Sequence, residues 1–347
     1  MSTALAIEPL TIARGGRKLS IFPPVLSAPL AGVADVPYRQ LLGQHGCPFS
    51  FTEMISAKGI VEKNPRTLEL LDTSPGEANT GVQLFCSSPD VLHRAAAAME
   101  SIGYPLVDLN AGCPKRKVMV QGSGGALLKD PKKLLGCIGA MLDAVDVPVG
   151  LKMRSGYNNY DPRDLGSLTS ELESAGISYL SIHCRTVEQG FKGKADRSII
   201  EMLSSSLSIP VIASGDVRSP ADVMDYIKRG AAGVMVGRAL CGDPLWFESL
   251  SAALKGEGWR KERQTLKGLK AHLEACSSHL DLMISHHGER RGCIEFRPHL
   301  NWYLSGFGGR RLFRERIYSL EDRASVETLL DEVRAAWSAQ LGDGSDR

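Results

Sequence analysis

The chain has 347 residues, with 41 Lys and Arg against 39 Asp and Glu, 43% apolar residues and 23% charged ones. These are ordinary globular proportions, and a chain of this length buries a core without disulfide or metal staples. A net charge of +2 excludes a globally basic nucleic-acid binder, so such a role must rest on local clusters.

The N-terminal MSTALAIEPL lacks a basic segment followed by an apolar run, and no stretch reaches the roughly 18 apolar residues of a membrane helix. The expectation is a cytoplasmic protein with no membrane partner; no stable protein partner is implied either. Residues 1–20 read as a flexible N-terminus. From there short, β-branched-rich runs recur: VLSAPL (25–30), FSFTEM (49–54), TGVQLF (80–85), PLVDLN (105–110), PVGLKM (148–153), YLSIHC (179–184), PVIASG (210–215) and GVMVGR (233–238). Segments of helical periodicity lie between most of them, at 89–102, 131–145, 162–175 and 220–229, each opening on a proline that suits a first helical turn.

Eight strands alternating with helices predict an α/β chain folded as a (β/α)8 TIM barrel over 21–245. The rival is a doubly wound sheet, which usually carries G-x-G-x-x-G after its first strand; here that strand ends in APLAGVAD. Beyond residue 245 the β-branched runs stop. Helices are expected at 266–284, 292–304, 310–317 and 325–340, giving a smaller C-terminal helical domain over 246–340 and a flexible tail, 341–347.

The expected strand ends carry Glu53, Gln83, Asn110, Lys152, His183, Ser214 with Asp216, and Arg238. All fall on the face where barrels build active sites, and a purely structural barrel does not need polar groups at nearly every strand end. ASGDV and VGRAL end the last two strands. Glycines there let backbone N–H groups approach an anion, barrels commonly hold a cofactor phosphate at these loops, and Arg238 adds a charged contact. The plainer reading is a pair of tight turns. Lys152 in the mouth needs an anionic partner, such as a reduced flavin, or else a structural ion pair with Glu53 or another acid.

Eight cysteines are scattered without a C-x-x-C pair and read mostly as small buried hydrophobes. Cys113 differs. It follows the fourth expected strand in LNAGCPKRKVMVQGSGGALLKDP, beside Lys115, Arg116 and Lys117, in a Gly-rich stretch that reads as a mobile lid. A thiol of ordinary pKa is mostly protonated at neutral pH and can donate a proton. Cys276, His279, His286, His287 and Cys293 are close in sequence but do not match common zinc spacings, so no metal is expected. Arg290, Arg291, Arg297, Arg310, Arg311, Arg314 and Arg316 interleave with Phe296, Trp302, Tyr303 and Phe307. That suits RNA, and equally a solvated helix face with its aromatics in the core.

The same segments resemble the tRNA-dihydrouridine synthases, closest to the bacterial B-type branch. The resemblance runs from about 22 to 335, most specifically in DLNAGCPKRKVMVQGSGGALLKDP, with APLAGVADVPYR, VQLF, LKMRSG, SIHCRTVEQGFKGKAD, ASGDV and RPHLNWYLSGF in support. It implies an FMN barrel that reduces a specific uridine in tRNA to 5,6-dihydrouridine with NADPH or NADH as electron donor. Hydride would pass from flavin N5 to uracil C6 and a proton from Cys113 to C5. By position, Pro29, Leu30 and Ala31 would contact the flavin through backbone, Gln83 and Lys152 its ring, and His183 would lie close. Ser214, Gly215, Asp216, Gly237 and Arg238 would hold the phosphate end. Asn110 would face both flavin and base. Lys115, Arg116, Arg185, Arg290, Arg291, Arg297, Arg310 and Arg311 are the candidate tRNA contacts. Leu30, Cys86, Cys184, Ser214 and Arg197 depart from the family's usual Met, Gly, Gly, Asn and Trp. The alternatives are a flavin barrel acting on a small molecule, similar to dihydroorotate dehydrogenase, and a non-catalytic RNA-binding barrel.

Overall fold

The computed structural model describes residues 7–74, 77, 79–257, 265–305 and 310–342; for 310–312 and 342 the backbone alone is described. The chain divides into two compact units, one of residues 1–34 with 47–237, the other of 35–46 with 238–347. The second unit thus begins at Arg238, earlier than the sequence suggests, and takes in Asp35–Gly46 from within the barrel sequence. No helix among the described residues is long and apolar enough to cross a membrane.

The first unit opens on a hairpin, β1 (Leu10–Arg14) and β2 (Arg17–Ile21), where an unstructured N-terminus was expected. Its signal is in the sequence. Apolar residues alternate in LTIA, and Gly15–Gly16 form a two-residue loop with φ of 56° and 80°, the left-handed geometry of a tight hairpin turn. Leu10, Ile12 and Ile21 are buried against Leu26, Phe49, Phe51, Leu106, Ile212 and Met235, so the hairpin closes the N-terminal end of the barrel. The Arg14 guanidinium donates to the carbonyls of Leu142, Val145 and Val147 at the end of helix Pro131–Ala144.

The eight expected strands follow: β3 (Val25–Ser27), β4 (Phe49–Ser56), β5 (Asn79–Phe85), β6 (Val107–Ala111), β7 (Val149–Arg154), β8 (Tyr179–His183), β9 (Val211–Ser214) and β10 (Gly233–Val236). All pair in parallel, in the order β3-β10-β9-β8-β7-β6-β5-β4, and β3 lies against β4 at the two ends of that order. The result is a nearly closed (β/α)8 barrel. Crossover helices Pro89–Ile102, Pro131–Ala144, Pro162–Ala175 and Pro220–Lys228 start on the prolines that announce them, with Asp130 and Asp161 capping two of them.

Register decides what meets in the mouth. Gln83 sits beside Asp108, Asn110 beside Lys152, Arg154 beside His183, and His183 beside Ser214. The second unit holds helices Val36–Gln44, Trp246–Leu254, Leu266–His287, Glu289–Tyr303, Arg310–Ile317 and Arg323–Gly342, and the last four share a core that includes Leu273, Cys276, Phe296, Tyr303, Leu329 and Trp337.

Candidate active site at the barrel mouth

Strand β6 delivers Cys113. Asn110, 6% exposed, turns its Oδ1 to accept from the backbone N–H of Gly112 at 3.1 Å and of Cys113 at 3.0 Å. The Cys113 carbonyl in turn accepts from Gly125 N–H at 3.0 Å. The segment beyond it is no open flap. It folds into a turn of helix, Arg116–Met119, and a 3-10 helix, Gly124–Lys129, and the Ser87 hydroxyl donates to Gln121 O at 2.7 Å. Val118 is buried, an apolar anchor for the segment. Lys115 and Arg116 are exposed. The half-buried Cys113 thiol is pushed upward in pKa by burial, which outweighs the pull of Lys115, Arg154 and Lys152. The group is therefore a neutral thiol near pH 7, able to give up a proton.

Strand β7 delivers Lys152. No carboxylate forms an ion pair with it among the described residues, and Glu53, the partner considered from sequence, accepts instead from Gly32 N–H. Burial, and then Arg154, push Lys152 down to about 8 against the pull of Asp108. A cation so placed favours an anionic occupant. Arg154 is a clamp: its Nε donates to Gly112 O at 3.0 Å, and its Nη1 to Thr186 O and Gly190 O, both at 2.8 Å. It ties the Cys113 loop to the loop after β8.

Strand β8 delivers His183. Burial, and then Lys152, Arg154 and Arg185, push the imidazole down to about 2, so it is neutral. Its buried Nδ1 has no hydrogen-bond partner among the described residues. Phe191 meets it edge-on, with ring centroids 6.2 Å apart, and is 56% exposed. Sequence reasoning missed this residue; an aromatic within a polar loop after a strand end was its only signal.

Two of the candidate residues, Arg185 just after β8 and Ser214 at the end of β9, are buried beside the loop after β9. Arg185, a candidate RNA contact, is buried. Its guanidinium holds Asp216 by two bonds, 2.9 and 2.6 Å, and donates to Lys192 O at 3.1 Å and Gly193 O at 2.7 Å. Four of its five N–H donors are thus bonded inside the fold, and its side chain is 2% exposed. Ser214 is also buried, and its hydroxyl donates to Ile182 O at 3.3 Å within the wall. The Asp216 carboxylate is consumed by Arg185 and by Ala195 N–H at 2.9 Å. What remains to face an anion is backbone: the N–H groups of Gly215 and Asp216 donate to no carbonyl among the described residues. Arg197, where the family favours Trp, bonds Asp222 at 2.6 Å, Asp225 at 2.8 Å and Asp216 O at 3.2 Å, and stacks on Tyr226. It fixes this loop to the next helix. Pro29, Leu30 and Ala31 follow β3, and the Leu30 carbonyl accepts from Val33 and Ala34. Gly237 follows β10.

Arg238 opens the second unit as an exposed residue on a 3-10 turn. Most arginines of this unit with described side chains are paired: Arg290 with Glu321 at 2.9 Å, Arg291 with Glu295 at 2.7 Å, and Arg316 with Glu332. Arg297 is half-buried and donates to Leu320 O at 2.8 Å. Phe296 and Tyr303 are core residues and Trp302 is half-buried; Phe307 and the side chains of Arg310 and Arg311 lie outside the described residues. The five Cys and His residues weighed for zinc are not gathered. Cys276 and Cys293 are in the apolar core, and His287 faces Glu295 at 3.2 Å. His279 instead meets Asp35 and His299, with ligand-capable atoms within 4.8 Å of one another.

A parallel barrel with a neutral thiol, an unpaired cation and a neutral imidazole at its strand ends is a (β/α)8 enzyme scaffold. The chain belongs to the dihydrouridine synthase family: the family model described as "Dihydrouridine synthase (Dus)" matches residues 26–340. It is 34% identical over 288 residues to a probable tRNA-dihydrouridine synthase of Rhodobacter capsulatus, covering 82% of this chain and 87% of the relative. It is 32% identical over 322 residues to tRNA-dihydrouridine synthase B of Pseudomonas syringae pv. tomato (92% and 91% covered). It is 30% identical over 310 residues to a probable tRNA-dihydrouridine synthase of Rickettsia conorii (89% and 92%).

Proposed function

We propose that this protein is an FMN-dependent, cytoplasmic tRNA-dihydrouridine synthase, reducing a specific uridine of tRNA with NADPH or NADH as electron donor. The observation that carries the reading is the Cys113 thiol, kept neutral by burial in the mouth of a barrel of this family.

The residues fit FMN. The free backbone N–H groups of Gly215 and Asp216 suit its phosphate, together with Gly237 and Arg238, while Ser214 contributes wall. Lys152, without an ion pair, suits the electron-rich edge of the ring, and Pro29, Leu30 and Ala31 offer backbone. The unpartnered Nδ1 of His183 suits a polar group of the occupant. When bound, FMN supplies the hydride for uracil C6. Cys113 then gives its proton to C5, while Asn110 keeps the Cys113 backbone in place. A stacked base cannot enter this mouth, so the uridine must be flipped out of the tRNA. Lys115 and Arg116 on the barrel unit, and the exposed Arg290 and Arg291 on the helical unit, are the cations retained for the phosphate backbone.

Two expected results arise here. Since Lys152 titrates near 8, FMN affinity should fall about tenfold per pH unit above that point, as its cation is lost. Lys152→Met should bind FMN weakly with a flat profile over pH 7–9.5, as read by flavin fluorescence titration. Phe191→Ala should weaken tRNA binding by about 1–3 kcal/mol if the exposed ring stacks on a base, while leaving FMN affinity unchanged. The reading as a whole is tested by mapping dihydrouridine in tRNA from a strain lacking this gene, with and without a restored copy. A map that does not change would overturn it.

A further inference from the structure

We infer that Asp108 is a positioning residue: together with Tyr179 it sets the direction of a buried hydrogen-bond relay that ends on the backbone of Cys113. The inference deepens the proposed function and rests on it for the role of Cys113.

The relay is Tyr179–Asp108–Gln83–Asn110–Cys113. The Tyr179 hydroxyl donates to Asp108 Oδ1 at 2.6 Å. Gln83 Nε2 donates to Asp108 Oδ2 at 2.6 Å. Asn110 Nδ2 donates to Gln83 Oε1 at 2.7 Å, and Asn110 Oδ1 accepts from Gly112 and Cys113 N–H. Tyr179, Asp108 and Gln83 are 0% exposed, so solvent repairs nothing in the chain. Gly150 makes room for it, because a Cβ there would lie 2.0 Å from the Tyr179 ring.

An amide has one donor end and one acceptor end, so two amides in series can run in either direction. Here both terminals select the same one. Backbone N–H groups can only donate, which forces Asn110 to present oxygen to them. Its Nδ2 must then face Gln83 Oε1, and Gln83 Nε2 must face an acceptor. The Asp108 carboxylate is an acceptor only, and the bonds it receives at 2.6 Å have the length of charge-assisted ones. None of this serves ion pairing: no cation contacts Asp108 within bonding distance among the described residues.

The test transposes the carboxylate. Gln83→Glu alone sets two carboxylates against each other where a 2.6 Å hydrogen bond stood, while Asn110 Nδ2 keeps an acceptor. Adding Asp108→Asn restores every bond, since the amide introduced at position 108 can donate through its nitrogen to the carboxylate introduced at position 83 and accept from Tyr179 through its oxygen. The readouts are the unfolding temperature of the full-length protein and the rate of Cys113 alkylation by iodoacetamide. The latter is followed by peptide mass spectrometry with and without added FMN. Gln83→Glu is expected to change the alkylation rate about tenfold, the equivalent of one lost buried hydrogen bond, and to lower the unfolding temperature. The double variant should return within about twofold of the parent rate and recover most of the temperature loss. If Gln83→Glu does not fold, the double variant must fold and label like the parent. A double variant no better than Gln83→Glu in both readouts, or equally unfolded, overturns the inference. Rescue of labelling, together with a parent protein that forms no dihydrouridine, would keep the relay and discard the proposed function.

Discussion

Cys113→Ala is expected to lower dihydrouridine formation by roughly 10²–10⁴-fold, the usual contribution of a positioned general acid. The loss should fall on turnover, not on FMN content or tRNA affinity. Two observations set that expectation. The thiol is half-buried and its pKa is raised, so the protonated form dominates at neutral pH and a proton is available to give. Its neighbourhood is held by bonds that the side chain does not make: Asn110 to the Cys113 N–H, Gly125 N–H to the Cys113 carbonyl, and Arg154 to Gly112 O. Removal of the sulfur therefore leaves the loop standing. Yellow, folded, tRNA-binding protein with a near-complete block after flavin reduction is the expected outcome, measured by stopped-flow absorbance and dihydrouridine mapping. Unchanged single-turnover reduction in Cys113→Ala would remove the thiol from the chemistry.

The barrel was legible because its strands are buried on both faces and so read as short continuous apolar runs, each stopped by a polar residue at the mouth. VLSAPL, PVIASG and GVMVGR needed no more than that. The residues that serve the mouth from below were not legible in the same way. Asp108 lies inside PLVDLN, where a carboxylate reads as an interruption of a strand; Tyr179 opens YLSIHC as one more strand-forming aromatic. Their meaning depends on register between β5, β6 and β8, a property of pairing that no single segment carries. The hairpin was legible and passed over, since Arg-Gly-Gly-Arg between two alternating runs is a turn signal. The arginines misled in the opposite sense. A guanidinium looks available for phosphate until its acid is found, and Arg185 and Arg316 find theirs 31 and 16 residues away.

Arg185 is where that difference has its largest consequence. Arg185→Met is expected to destabilise the barrel unit by about 3 kcal/mol, the lower end of the range for breaking a buried pair, because the Asp216 side chain is 21% exposed and water recovers part of the loss. The variant leaves Asp216 without its bidentate partner and the carbonyls of Lys192 and Gly193 without a donor, and these hold the β8 and β9 loops together. The pair also fixes pH behaviour. Burial pulls the Asp216 carboxyl upward, but Arg185 and the Ala195 N–H outweigh it and set its pKa below the ordinary value. A carboxylate whose folded pKa is depressed stabilises above its unfolded value of about 4, and that stabilisation disappears as pH falls through the folded value. The gap in unfolding free energy between parent and Arg185→Met should therefore be constant from neutral pH down to about 5 and close below about 4, as followed by urea titration at stepped pH. Arg185→Lys should recover only part of it, since one ammonium cannot reach four acceptors in a plane. FMN affinity should fall in step with stability in both variants, because the backbone N–H groups of Gly215 and Asp216 take their direction from the loop that Arg185 pins. A parent-like unfolding profile with weakened tRNA binding would return Arg185 to the role its residue type first suggests.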